Sequence, residues 1–227
     1  MEVTADRPRR TLAKDERRRQ VIEATISVIA ARGLARLTLT DVAREAGISH
    51  GLVLFHFNSK ENLLAESLAY LADEYQQNWE ASVAAAGSRP AAQLRAMLEA
   101  DFHPALTTPA RLAAWCAFWG ETQSRPAYQK ICGGRDAFRI ASMEGLCIEL
   151  VKDGGYDLDP VHAARILRLV VEGTWLDMMT IENSYSSEDG RRTVETALSL
   201  CFPGHFPSES FLQPQKELVP DASRDGR

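Results

Sequence analysis

Apolar residues in this chain recur at helical spacing, and nowhere do they alternate with period two for long enough to make a strand. Val21, Ile22, Ile26, Ile29 and Ala30 set the pattern in a first helix predicted from Asp15 to Arg32, and Gly33 supplies its stop. Further helices are predicted at about 39–46, 49–55, 59–85, 90–103, 109–124, 127–152, 160–183 and 188–201, with Pro90, Pro109, Pro126 and Asp159-Pro160 as punctuation. The fold class is therefore all-α. Residues 1–14 carry Pro8 and four basic residues and predict a flexible basic arm. After Phe202 come Pro203, Pro207, Pro214 and Pro220, which predict a loose tail over 204–227.

The segment Thr38 to Asn58 limits function most. Thr38-x-x-Asp41 reads as a cap for one short helix, and Ser49 caps a second, with Ala46-Gly47-Ile48-Ser49 between them. A helix-turn-helix needs a small residue where the helices touch, a turn residue tolerant of positive φ and an apolar plug. Ala43, Gly47 and Ile48 suit those roles. The second helix would then offer its N-terminal residues, from Ser49 to Val53, to a major groove. An ordinary helical hairpin is the competing reading. A similar capping box, Asn58-x-x-Glu61, is expected to open the long helix that follows.

Charge supports the DNA reading. The net charge is −5, but residues 1–60 hold 11 basic against 7 acidic residues and residues 61–227 hold 15 against 24. A basic head on an acidic body fits a polyanion-binding head. An enzyme finds little support: there is no GxSxG, Walker loop, HExxH or dinucleotide glycine fingerprint, and the histidines are scattered. No cofactor or metal site is predicted, and Cys116, Cys132, Cys147 and Cys201 read as small hydrophobes. No apolar run approaches the roughly 20 residues of a membrane helix, and the Arg-rich start lacks the apolar core of a signal peptide, so a cytoplasmic protein without a membrane partner is expected.

Thr38, Val42-Ala43, Ala46-Gly47-Ile48-Ser49, Gly51, His56-Phe57, Lys60-Glu61 and Leu63-Leu64 together resemble the N-terminal domain of TetR-family transcriptional repressors. The resemblance implies a homodimer with a helix-turn-helix head at 15–75 (motif 38–57) and a ligand-binding and dimerisation body at 76–203. By position it implies that Thr38 and Ser49 cap the two helices and donate to phosphates, that Thr40 also belongs to the DNA-binding set, that His50, Gly51, Leu52 and Phe55 face the groove, and that His56 and Lys60 contact the DNA backbone. Leu54 stands where the family usually has a phosphate-contacting tyrosine, and Leu52 where a polar residue is frequent. Readout should then lean on apolar contact with thymine methyls and on His50. Arg7, Arg9, Arg10, Lys14, Arg17, Arg18 and Arg19 are expected to supply much of the affinity.

The body is rich in aromatics. Trp115, Phe118 and Trp119 share one helical face, Tyr128 follows, and Trp175 sits on a later helix with Glu172 one turn before it. Indoles beside a carboxylate (Glu172, or Asp101) suit a quaternary ammonium, which cannot donate hydrogen bonds. Simple core or interface packing is the other reading of the same residues. Ala114-Trp-Cys-Ala-Phe-Trp119, then Arg125-Pro126-x-Tyr128, then Glu172-Gly-x-Trp-Leu176, resembles the BetI-type repressor subfamily. That resemblance implies a choline-responsive repressor of glycine betaine genes. A TetR-type repressor of an efflux or catabolic operon, answering to an apolar or planar cation, is the alternative. Ile166, Leu167, Leu169, Val170, Val171 and Leu176 point several ways round their helix and predict cover on more than one side, as a dimer bundle would give.

Overall fold

The structure is a computed structural model that describes residues 6–120, 125–181 and 186–207. Its described residues form helices only: α1 (Asp6–Arg32), α2 (Leu39–Glu45), α3 (His50–Phe57), α4 (Lys60–Ala85), α5 (Pro90–Ala100), α6 (Pro109–Gly120), α7 (Arg125–Gly154), α8 (Pro160–Thr180) and α9 (Ser187–Cys201). In the helix-turn-helix, α2 packs on α1, and α3 packs on α2 and α4. The long α4 runs from this head into the body, where it meets α5 and α7, while α8 lies between α7 and α9. Contact between α1 and α6 ties head to body a second time.

Local chemistry explains the boundaries. Gly33 takes φ +77°, and its N–H closes α1 on the Ile29 carbonyl at 2.8 Å. The Thr38 hydroxyl oxygen accepts from Asp41 N–H at 3.2 Å and its O–H donates to the Asp41 carboxylate at 2.7 Å. That bond, followed by Arg32 and Arg44, holds the Asp41 carboxyl below its usual range. Gly47 turns the chain at φ +65°, and Ser49 Oγ accepts from Leu52 N–H at 3.2 Å to open α3.

Four expectations need correction. Backbone is already helical from Asp6, so most of the expected flexible arm continues α1; Pro8 falls in the first turn, where its missing N–H has no helical partner to lose. Asn58 does not cap α4. It takes φ +63° and ends α3, a conformation asparagine tolerates, and Ser59 caps α4 through Asn62 N–H at 3.1 Å. Helix α5 stops at Ala100, before Asp101 and Phe102, which turn into the core. The tail does not loosen at 204. Phe202 and Phe206 are buried, and His205 bonds both Tyr156 (2.8 Å) and Asp153 (2.9 Å). The rest of the expected tail, from 208 on, lies outside the described residues, as do 121–124.

Gly190 gives a test of packing. Helix α9 passes so close to α5 and its exit that a Cβ on Gly190 would sit 2.3 Å from the fully buried ring of Phe102. Gly190→Ala is expected to cost about 1–3 kcal/mol through overpacking. The readout is a lower urea midpoint at unchanged slope; an unmoved midpoint would mean the ring yields freely.

Candidate DNA-contact face and ligand cavity

Two groupings of side chains stand out. The first is the outer face of α2 and α3. Val53 and Phe57 anchor α3 with no exposure, and Gln20 of α1 donates to the Ala46 carbonyl at 2.7 Å, so the turn is held from below. Thr38, Thr40, Ser49, His50 and Gly51 are exposed, Leu52 is half-buried and Phe55 is 71% exposed. The Phe55 ring meets His56 edge-on at 5.3 Å and otherwise faces outward.

His56 and Lys60 do not join that face. His56 is buried, with Nδ1 unpartnered among the described residues, and burial followed by Arg18, Lys14 and Arg17 lowers its pKa and keeps it neutral. Its backbone carbonyl accepts from Arg18, at 2.5 Å, and Arg18 also pairs with Glu66 and lies over the Phe57 ring. Lys60 Nζ donates to the Leu37 carbonyl at 2.5 Å. Both side chains expected at phosphates therefore brace the head internally. Arg18 is diverted likewise, while Lys14, Arg17 and Arg19 remain exposed. The side chains of Arg7, Arg9 and Arg10 lie outside the described residues.

The second grouping surrounds a cavity of about 150 Å³ enclosed by α4, α6, α7 and α8. Its aromatic wall is Tyr75, Trp115, Trp119 and Trp175. Trp119 and Trp175 stack at 6.1 Å and 13°, Trp115 tilts against Trp119 at 5.9 Å, and Tyr75 meets Trp115 and Trp175 edge-on at 6.1 and 5.8 Å. Tyr128 joins by accepting from Trp119 Nε1 at 3.2 Å and donating to the Asp136 carboxylate at 3.1 Å. Burial raises the pKa of Asp136, and raises that of Tyr128 further. Glu172 is paired with Arg168 at 2.6 Å. A space this size matches an engineered cavity that accepts benzene, so it has room for a small molecule.

Of the residues expected around a ligand, Trp115, Trp119, Tyr128, Glu172 and Trp175 line this space. Phe118 and Asp101 do not. Phe118 turns into the core, and Asp101 lies behind the wall, its carboxylate bound to Arg139 at 2.6 Å and its backbone carbonyl accepting from Trp175 Nε1 at 3.1 Å. Sequence reasoning missed Tyr75, Asp136, Arg139 and Arg168. Asp136 lies two helical turns after Tyr128, which was a usable signal. Tyr75 sits on α4, and nothing in its neighbourhood marks it. No group of three or more side chains suited to a metal occurs among the described residues, and no helix there is long and apolar enough to cross a membrane.

Two family models match separate segments of the chain. Residues 21–67 match the model of bacterial regulatory proteins of the tetR family, and residues 90–203 match that of the BetI-type transcriptional repressor C-terminal domain. The HTH-type transcriptional regulator BetI of Ectopseudomonas mendocina is 29% identical over 192 residues, covering 81% of this chain and 92% of that protein. Its counterpart in Paraburkholderia phymatum is 31% identical over 169 residues, covering 72% and 81%. Among solved structures, a transcriptional regulator from Pseudomonas aeruginosa superposes with TM-score 0.70 at 26% identity, over 84% of this chain and 93% of that one. A regulator from Saccharomonospora viridis, solved in complex with choline, gives TM-score 0.70 at 21% identity, over 82% and 96%.

Proposed function

The chain belongs to the TetR family of bacterial regulatory proteins and carries a BetI-type repressor C-terminal domain; from there we propose that two copies grip a near-palindromic operator and that a small organic cation of the choline class releases them. It is thus a transcriptional regulator and not an enzyme. In this reading residues 15–75 bind DNA and 76–203 bind ligand and pair. Thr38, Thr40 and Ser49 meet phosphates, and His50, Gly51, Leu52 and Phe55 face the bases. The regulated genes serve synthesis or uptake of glycine betaine.

The observation that carries the ligand half is the box of four aromatic rings with Asp136 and Glu172 beside it. Ring faces attract an ammonium that has no N–H to donate, at about 0.5–2 kcal/mol per ring. The choline bound to the Saccharomonospora viridis regulator supports that chemistry. Pairing is supported by α8, whose Ile166, Leu169 and Leu176 are about half exposed in the single chain, and by Leu200 of α9, exposed to 79%. Such a stripe suits burial against its own copy. Two heads about 34–36 Å apart would meet successive major grooves.

Fluorescence anisotropy with DNA from upstream of the protein's own gene tests both halves. Affinity is expected to fall steeply with salt. Phe55→Ala should weaken binding about tenfold, since a ring that loses its thymine contact forfeits roughly 1.4 kcal/mol. Added choline should release the DNA and quench tryptophan fluorescence. Binding indifferent to salt would defeat the DNA half; tryptophan emission unmoved by choline and by other trimethylammonium compounds would defeat the ligand half.

A further inference from the structure

A second cavity, of about 130 Å³, adjoins the aromatic one and shares with it Arg139, Ile140 and Arg168. The two share a pair of arginines but differ in what else lines them. The first chamber holds two carboxylates, Asp136 and Glu172, and its rings; the second is walled by Arg139, Arg165 and Arg168, with Glu144 as its one acidic group. Three of these charges at the junction already have partners: Arg139 is held by Asp101, and Arg168 by Glu172. Among the described residues the half-buried Asp136 has no cation at ion-pair distance in the first chamber, and Arg165, solvent-exposed on the wall of the second, has no carboxylate partner. Asp136 has only the Tyr128 hydroxyl.

From this we infer that the effector is a zwitterion: an ammonium seated among the rings beside Asp136, joined by a short chain to an anionic group, carboxylate or phosphate, that reaches Arg165 and Arg168. The inference rests on the cation reading of the aromatic chamber and adds the second charge. A simple cation would satisfy the first chamber and leave the arginine chamber filled with water. A zwitterion satisfies both unmatched charges and costs no net charge transfer into the protein.

Tryptophan-fluorescence titration of the full chain with choline, phosphocholine and carnitine tests this. Phosphocholine or carnitine is expected to bind about tenfold or more tightly than choline. Arg165→Ala should abolish that preference and leave choline affinity within about twofold, because Arg165 touches only the second chamber. Asp136→Asn should weaken all three. Choline binding as tightly as both zwitterions would overturn the inference while the cation reading stands, as would Arg165→Ala weakening choline and zwitterion alike. If none of the three quenches, the cation reading fails and takes the inference with it.

Discussion

Arg139→Met is expected to destabilise the fold by about 3–5 kcal/mol at neutral pH. Arg139 and Asp101 are both buried, with side-chain exposures of 8% and 0%, and meet at 2.6 Å. Removing the guanidinium leaves a carboxylate in a place water does not reach, and Asp101 Oδ1 already lacks a partner among the described residues. The neighbourhood suffers too, because Trp175 hangs from the Asp101 carbonyl and Tyr75 lies under the guanidinium at 5.3 Å. The defect should depend on pH. Burial raises the Asp101 pKa, and in the variant the Arg139 charge and hydrogen bond no longer oppose it, which leaves only Tyr75 to do so. A carboxyl whose folded pKa exceeds its unfolded value of about 3.9 favours folding when protonated and disfavours it as pH rises through the folded value. The variant should therefore regain much of its lost stability toward acid, read as urea midpoints over a pH series. The double variant Asp101→Leu with Arg139→Met should recover more than either single change, since a matched apolar pair leaves no stranded charge. A cost that stays constant across the pH series would show that shape, not charge, is what Arg139 supplies.

Arg111→Gln is expected to separate ligand binding from DNA release. Arg111 stands in the first turn of α6, its side chain 15% exposed, and holds Glu23 of α1 at 2.9 Å and Glu74 of α4 at 2.7 Å. Tyr70 adds a hydroxyl bond to Glu23 at 2.9 Å, and burial with that carboxylate pushes its phenol up to about 12. Trp115 and Trp119 lie one and two turns further along the same helix. A ligand that displaces the rings therefore pulls on a helix whose other end is tied to the head. Coupling energies between sites are about 1–3 kcal/mol, or 5- to 150-fold in affinity. The unaltered protein should lose DNA affinity by a factor in that range when ligand saturates it. Arg111→Gln should lose most of the factor while quenching by ligand stays within about twofold. Partly exposed ion pairs contribute only about 0.2–1 kcal/mol each, so the fold survives the change. A variant that releases DNA as fully as the parent would move the coupling to α4 alone.

These two residues also mark where sequence reading stops. Helix boundaries were legible because their causes are local: Gly33 and Gly47 at positive φ, Ser49 accepting from Leu52, and Asp159 accepting from Val161 and His162 at the start of α8. Where two local signals compete, the reading slipped by one position, as at Asn58 and Ser59. Trp115, Trp119 and Trp175 were picked out as a group, because indoles are rare and two of them share a face. A family pattern fixes the positions of His56 and Lys60 in the chain but not the direction of their side chains: in the free chain His56 is buried, and Lys60 donates to the carbonyl of Leu37, 23 residues upstream.

The amino-acid order alone determined that the regular structure of the described residues is helical, that a capped two-helix unit lies near the start of the chain, and that its aromatic residues are concentrated in the body. Those properties follow from neighbours within a turn or two. Tertiary structure alone decided which carboxylate faces the cavity and which is consumed behind it, and which cations are left open. Asp101 and Asp136 are the same residue type near the same rings, yet one is matched by Arg139 and the other is not. The difference arises because charge pairing depends on distances of a few ångströms between helices far apart in the chain, and helical periodicity carries no information about those distances.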